Sequence, residues 1–327
     1  MSRNVLVVGG TGWVGEEIVS QLLAMNDNVT LLVHNANTNY KNVQTIKSDI
    51  SNNEQIKSDL NDRSFEVIFH VASLPGDTGD PRQMMDVNVS GLLNLLEFAK
   101  ETKVKSFILS SSISALEWYP ATKFNKPDYL PVDEKHPCRP KDMYAATKRM
   151  QELLALSFYY QYKVPITILR LTAVIGPKGR GGGRGYFDMA KMLKERETVT
   201  IPHFNEEELC HYIDIRDAAR MHLIASEHEK AIGEIFNCCG SNPTTGKEFG
   251  DSIKKYIPEI NVKCGFPWSM AQGGEISFSM EKAKDMIGFV PNYSIDDSVK
   301  SIIEWIDSPD YETFNKNDIS FGDGVLN

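Results

Sequence analysis

Val5-Leu6-Val7-Val8 runs into Gly9-Gly10-Thr11-Gly12-Trp13-Val14-Gly15, and the residues that follow carry Ile18, Leu22 and Met25 on one helical face. This spacing predicts a strand, a tight turn and an amphipathic helix. Each glycine then has a reason. Gly9 supplies an unusual backbone angle, Gly12 lets a pyrophosphate approach where a side chain would block it, and Gly15 lets the helix lie close on the sheet. The free amides and positive end of the helix face those phosphates. A glycine triplet alone also occurs at ordinary βα turns. Its place between a β-type run and a helical segment is what reads as dinucleotide binding, with Thr11, Trp13 and Val14 in the same turn.

Composition frames this turn. The 327 residues suffice for one large domain and a smaller lobe. Hydrophobic residues at 41% and charged residues at 24% are ordinary for a globular protein. A net charge of −9, with no basic stripe, argues against a nucleic-acid partner. No apolar run approaches the roughly 18 residues of a membrane span. The N-terminus enters a strand directly, so no signal peptide is expected. Cysteines at 138, 210, 238, 239 and 264 lack CxxC spacing and read as reduced thiols of a cytoplasmic protein. The histidines do not cluster at ligand spacing, so no metal is expected.

Working outward, residues 29–33 predict the second strand, ending at His34 and Asn35. Such folds meet the adenosine ribose there, and an acid would bind both hydroxyls and repel a 2′-phosphate. The acid is missing and a histidine able to carry charge is present, which reads as NADP, with NAD as the alternative. Residues 43–50 form a third strand and its exit. Asp49 either accepts from the adenine amine, with Ile50 flanking the ring, or caps a helix at 52–60. Residues 67–73 are an apolar strand of the kind buried on both faces of a parallel sheet. Within it His70 reads as a packed core residue. Its end, Val71, Ala72 and Ser73, leaves room for a ligand against the backbone. Asn88 lies in the first turn of a helix at 87–100. Residues 107–112 end in Ser110, Ser111 and Ser112, at the strand terminus where open α/β sheets hold ligands. A polar strand exit is the plainer reading of those serines. Residues 113–140 form a long proline-rich loop of the kind used as a lid or binding surface. In it Trp118 and Tyr119 either line a pocket or pack on the surface.

Tyr144 and Lys148 open a helix at 142–162 and share one face. Tyrosine ionises near pH 10 and is a poor base at neutrality. A fixed ammonium and the positive helix end both favour phenolate. A shift of ~3 units needs roughly 4 kcal/mol, which this pair is expected to supply.

At this point the chain resembles the short-chain dehydrogenase/reductase superfamily, in its extended, NAD-dependent epimerase/dehydratase-like branch, over nearly its whole length. The motifs run in order: GGTGWVG, Asp49-Ile50, HVAS at 70–73, VNVSGLLNLLE from Val87, ILSSS ending at Ser112, PVDE at 131–134, YAATK at 144–148, RLTAVIGP at 170–177 and HYIDIRDAA at 211–219. The resemblance implies NAD(P) and a Ser–Tyr–Lys arrangement. Ser112 would polarise the substrate oxygen, Tyr144 would act as general acid and base, and Lys148 would hold the nicotinamide ribose. Asn88 and Ser110 complete the expected cofactor contacts. Departures narrow the substrate. Family dehydratases place an Asp-Glu pair directly after the active-site hydroxyl, where Ile113 and Ser114 stand. Leu116 replaces a tyrosine that often follows the serine strand. Ala173 replaces an asparagine of the nucleotide-sugar members, and Cys210 an arginine that holds the diphosphate. These changes read away from dehydration and from a nucleotide-linked sugar.

Further on, residues 178–185 form a glycine-rich basic loop. Arg180 and Arg184 either hold a substrate carboxylate or phosphate or lie in a solvated, mobile loop. Helices are expected at 186–195, 214–226, 247–256, 280–287 and 295–306, a strand at 234–238, and a poorly ordered polar tail from Tyr311. The chain therefore reads as α/β. A Rossmann-type doubly wound parallel sheet takes residues 1–175, with 211–240 returning to it, and a smaller substrate lobe takes 176–210 and 241–327. The expected activity interconverts a secondary alcohol and a carbonyl on a small polyol, sugar, sugar acid or ketone. Ser112, Trp118, Ala173, Arg180 and Arg184 would surround the substrate. A sugar epimerase with retained NAD and a non-catalytic NAD(P) sensor are the alternatives. Surplus apolar residues on the helices at 87–100 and 142–162, among them Phe158, Tyr159 and Tyr160, together with the resemblance, imply a homodimer through a helical bundle.

Overall fold

Alternation along the first strand divides the molecule into its two faces. The computed structural model describes residues 2–36, 40, 43–75, 80–116, 127–265 and 276–318. Its elements run β1 (Asn4–Val8), α1 (Trp13–Ala24), β2 (Asn28–Val33), β3 (Gln44–Lys47), α2 (Asn53–Asp59), β4 (Val67–His70) and α3 (Pro81–Met84). A π-helical turn, Met85–Ser90, leads into α4 (Gly91–Thr102), then β5 (Ser106–Ser112), α5 (Met143–Tyr162), β6 (Ile166–Leu171) and β7 (Ala173–Ile175). Next come α6 (Arg184–Glu195), β8 (Thr198–Ile201), β9 (Leu209–Cys210), β10 (Tyr212–Asp214), α7 (Ile215–Glu227) and β11 (Ile235–Cys238). The chain continues with β12 (Thr244–Thr245), α8 (Gly246–Tyr256), β13 (Asn261–Cys264), α9 (Glu281–Ile287), α10 (Ile295–Ile306) and α11 (Pro309–Asp318).

Seven parallel strands form the main sheet in the order β11-β6-β5-β4-β1-β2-β3. From β1, Val5 and Val7 pack with Ile18, Val19 and Leu22 of α1 and with α7. Leu6 and Val8 point the other way, into α2, α4 and α5. An apolar strand with both alternations buried needs helices on both faces, so the doubly wound parallel arrangement follows from the sequence of β1 itself. The order of connection reverses between β1 and β4, and such sheets hold ligands at that crevice.

The second lobe packs Phe187, Leu193, Val199, Phe249, Ile302 and Trp305 around their own core. Residues 211–240 return to the sheet only through β11; β10 pairs with β7 outside it. The tail differs from expectation. Residues from Pro309 form a helix, because Tyr311 and Phe314 share a face and dock on Phe187 and Trp305.

Backbone contact at the glycine turn makes one substitution easy to judge. A Cβ on Gly15 would overlap the Gly9 carbonyl oxygen and stand 2.9 Å from Gly10 Cα. Neither neighbour is a side chain that can rotate away. Gly15→Ala is expected to lower unfolding free energy by about 1–3 kcal/mol, read as a fall in the urea midpoint.

Candidate active site

The turn after β1 fits a dinucleotide pyrophosphate. Gly9 sits at φ +88°, and a Cβ there would lie 2.5 Å from the Ala72 amide nitrogen. Val71 and Ala72 both donate to the Val8 carbonyl at 2.9 Å, so the β4 exit is drawn tight against β1. Protein therefore closes on Gly9 and Gly15. Gly12 is different. It is exposed, and a Cβ there would meet only the Gly9 carbonyl oxygen, at 3.2 Å. No side chain caps α1 at Gly12, which leaves the helix end open to an anion. Thr11 and Val14 in this turn and Ser73 beyond β4 are partly buried.

At the far end of the β1/β4 crevice His34 and Asn35 are exposed and touch each other at 3.4 Å. Asp49 does not cap α2. That role falls to Asn52, whose side chain accepts from the Gln55 amide at 3.1 Å. Asp49 Oδ1 instead accepts from the Ser51 amide and hydroxyl at 2.9 and 2.7 Å. Partial burial works to raise its carboxyl, but these bonds and nearby His34 outweigh that and hold it below the usual range. Ile50 packs on Gly91, where a Cβ would come within 2.9 Å of it.

Three successive serines of β5 meet three residues of α5 spaced four apart. The Ser112 hydroxyl bonds the Tyr144 phenol, besides lying 3.1 Å from the Ser114 hydroxyl. Lys148 Nζ donates to the Ser110 carbonyl at 3.0 Å and sits 5.8 Å from the Tyr144 ring centre. Ser111 donates to Glu152 at 2.8 Å. A helix with period 3.6 keeps residues 144, 148 and 152 on one face, and Asp142 starts it by accepting from the Ala145 amide at 2.6 Å.

The electrostatics depart from the sequence reading. Burial pushes the Tyr144 phenol up to about 12, and the Ser112 hydroxyl pulls it back only in part. Burial also brings the Lys148 ammonium down to about 8, with Glu152 opposing. Desolvation thus outweighs the Ser112 hydrogen bond, and nearby Asp142 adds to the rise, so the phenol is not made acidic here. Glu152 is the residue that sequence reasoning missed. It is fully buried and takes Arg170 Nε at 2.8 Å, a second Arg170 nitrogen at 2.9 Å and Arg149 at 2.9 Å. A charge inside the apolar run of β6 was the available signal for such a partner.

Other expected site residues are placed as follows. Asn88 does not face the crevice. Its side chain holds both backbone groups of Leu74, at 2.8 and 3.2 Å, and Thr147 at 3.0 Å, bracing the β4 exit against α5. Ser110 turns its hydroxyl to His222 at 2.7 Å. His70 is buried, as the strand pattern predicts. Ala173 is buried in the core of the second lobe with Cys210, whose thiol burial raises to about 12. Arg180 pairs with Glu16 and Arg184 lies near Asp188 at 3.7 Å, so the surface-loop reading fails for Arg180, which is largely covered. Trp118 and Tyr119 lie outside the described residues.

The family model described as the NAD dependent epimerase/dehydratase family matches residues 5–239. The chain belongs to this family. Among curated relatives, a putative UDP-glucose 4-epimerase of Methanocaldococcus jannaschii is 27% identical, covering 92% of this chain and 98% of its own. Among solved structures, an epimerase of Methanothermobacter thermautotrophicus shares the fold at TM-score 0.83 and 22% identity, over 97% and 95% of the two chains. A Bacillus cereus UDP-glucuronic acid 4-epimerase, solved with UDP-glucuronic acid and NAD, does so at TM-score 0.76 and 23% identity, over 92% and 98%. Membership in the epimerase/dehydratase family makes the extended short-chain dehydrogenase/reductase architecture the frame for every residue above. Among the described residues no helix is long and apolar enough to cross a membrane, and all five cysteines are free.

Proposed function

We propose that the chain is a sugar epimerase that oxidises and re-reduces one carbon while keeping its NAD, with a nucleoside-diphosphate sugar as substrate. The observation that carries this is the Ser112–Tyr144–Lys148 cluster at the C-terminal end of β5, at the same edge of the parallel sheet as the open Gly12 turn. The epimerase names of relatives that span nearly the whole chain support it over a dehydrogenase of free polyols. NAD is preferred to NADP because solved relatives hold NAD, and because the Asp49 carboxylate, close enough to feel His34 electrostatically, adds negative charge at that end of the crevice.

In this reading residues 1–175 with 211–240 carry the dinucleotide, and 176–210 with 241–327 carry the sugar. NAD, when bound, supplies the hydride acceptor and a positive charge. Tyr144 takes the proton of the reacting hydroxyl and later returns it. Ser112 donates to the same oxygen, and stabilising such a developing charge is typically worth ~3–4 kcal/mol. Lys148, fixed on the Ser110 carbonyl, would hold the ribose. Inversion requires the hydride to return to the opposite face of the sugar, so the sugar must turn over between the two transfers.

A second reading, dehydrogenation of a small secondary alcohol, is favoured by one observation. Ala173 and Cys210 are buried without charge in the second lobe. One experiment separates the two. The purified protein is extracted for NAD and assayed on UDP-sugars with nothing added. Bound NAD and epimerisation without net redox are expected. Protein that carries no NAD and consumes added cofactor with a free alcohol rejects the epimerase.

A homodimer through α4 and α5 belongs to the same proposal. Leu93, Met150, Leu153, Tyr160 and Tyr162 are exposed on these helices, whereas Phe158 points into the core.

A further inference from the structure

Trp13 belongs to the glycine turn, yet it packs against the core of the second lobe. Its indole Nε1 donates to the Pro177 carbonyl at 2.7 Å, and its ring centre lies 5.7 Å from that of Tyr186. It also covers Gly183, where a Cβ would overlap the indole. Three residues on, Glu16 in the first turn of α1 is paired with Arg180. The Arg180 guanidinium lies 5.6 Å from the Phe314 ring centre, and its buried Nε finds no acceptor among the described residues. The loop also approaches the opposite wall of the crevice. Gly181 is held at φ +55°, and a Cβ there would stand 3.9 Å from the Pro75 ring, beyond the β4 exit. Residues 177–184 thus contact the glycine-turn side of the β1/β4 crevice and approach its β4 side.

We propose that residues 177–184 are a retention strap across the dinucleotide site, anchored by Trp13 on Pro177 and by Glu16 on Arg180. The inference rests on the NAD reading of the glycine turn. A nucleotide seated on Gly12 has to pass this loop to leave. An enzyme that oxidises and re-reduces one substrate needs the same nucleotide for both transfers, since early loss would strand the ketone. A strap that slows release serves that chemistry.

Glu16 distinguishes the strap from plain electrostatics. A carboxylate beside a pyrophosphate repels it, so charge alone predicts that Glu16→Gln holds the nucleotide more tightly. The strap predicts the reverse, because Arg180 loses its anchor. Wild type, Glu16→Gln, Arg180→Gln and Trp13→Phe are loaded with NADH, mixed with excess NAD, and followed by the loss of bound-NADH fluorescence. Trypsin cleavage after Lys178 and Arg184 is timed in parallel, and circular dichroism checks each fold. Release at least tenfold faster in Glu16→Gln and Trp13→Phe, with faster cleavage at the loop, is expected. Unchanged or slower release from Glu16→Gln, with cleavage at the wild-type rate, overturns the strap while leaving the NAD site standing. Wild-type protein that binds no NADH overturns the NAD reading and the strap with it.

Discussion

Tyr144→Phe is expected to cut turnover by about 10³- to 10⁴-fold, near the upper end for loss of a general acid–base, while NAD stays bound. The ring and its packing remain, as does Lys148 on the Ser110 carbonyl 3.0 Å away. What disappears is the oxygen bonded to Ser112, the group proposed to exchange a proton with the substrate. The pH profile carries the same information. A phenol at about 12 is the wrong form for a base at neutrality, so oxidation should accelerate as pH rises. Lys148, at about 8, loses its charge over the same alkaline range and should bend the profile over. The variant should lose both features together. Activity within tenfold of wild type, with an unaltered profile, removes Tyr144 from the mechanism. Normal turnover with lost NAD would make it a binding residue only.

How much of this site was legible in the sequence depends on how local each signal is. The glycine turn and the Tyr144–Lys148 spacing are local, because one turn and one helix fix them. Tertiary burial is not local, and it decides the rest. The helix end and the ammonium are readable from the sequence as influences that lower the phenol; the desolvation that raises it is not, and burial sets the direction here. Arg180 in a glycine-rich stretch looked solvated because its partner, Glu16, lies far back in the chain. The polar tail hid a helix because Tyr311 and Phe314 bury only against Phe187 and Trp305. Glu152 and Arg170 were each readable as charges at inward positions. Pairing them required knowing that α5 lies on β5 and β6.

Acid should unfold this protein well before its carboxylates titrate. Burial holds four histidines below their usual range, His203 among them, and three of them strongly. Burial lowers His70 to about 3, and His211 and His222 to about 4. His211 is locked by donors and acceptors together: Nε2 gives to the Gly240 carbonyl at 2.8 Å and Nδ1 accepts the Phe278 amide at 3.0 Å. A second ring proton there would face an N–H. His222 is held between the Ala218 carbonyl and Ser110, both at 2.7 Å, just behind the serine end of β5. Above pH 6.5 these rings are neutral folded and unfolded, and they contribute no slope. Below it the unfolded chain binds protons that the native state refuses, so stability falls as pH falls. The limit is about 1.4 kcal/mol per pH unit for each ring, or roughly 4 for three. By pH 5 the loss reaches roughly 6 kcal/mol, within the 5–15 that holds a typical domain together. Lys148 adds nothing to this slope, because below pH 6.5 it is protonated folded and unfolded alike. Urea midpoints measured from pH 7.5 to 5 should hold steady and then drop steeply just below 6.5. His222→Gln keeps a hydrogen-bonding side chain without the titration and should reduce that slope by about one third. A flat midpoint down to pH 5 would mean that water reaches these rings in the folded protein, and the tight packing behind Ser110 would have to be given up.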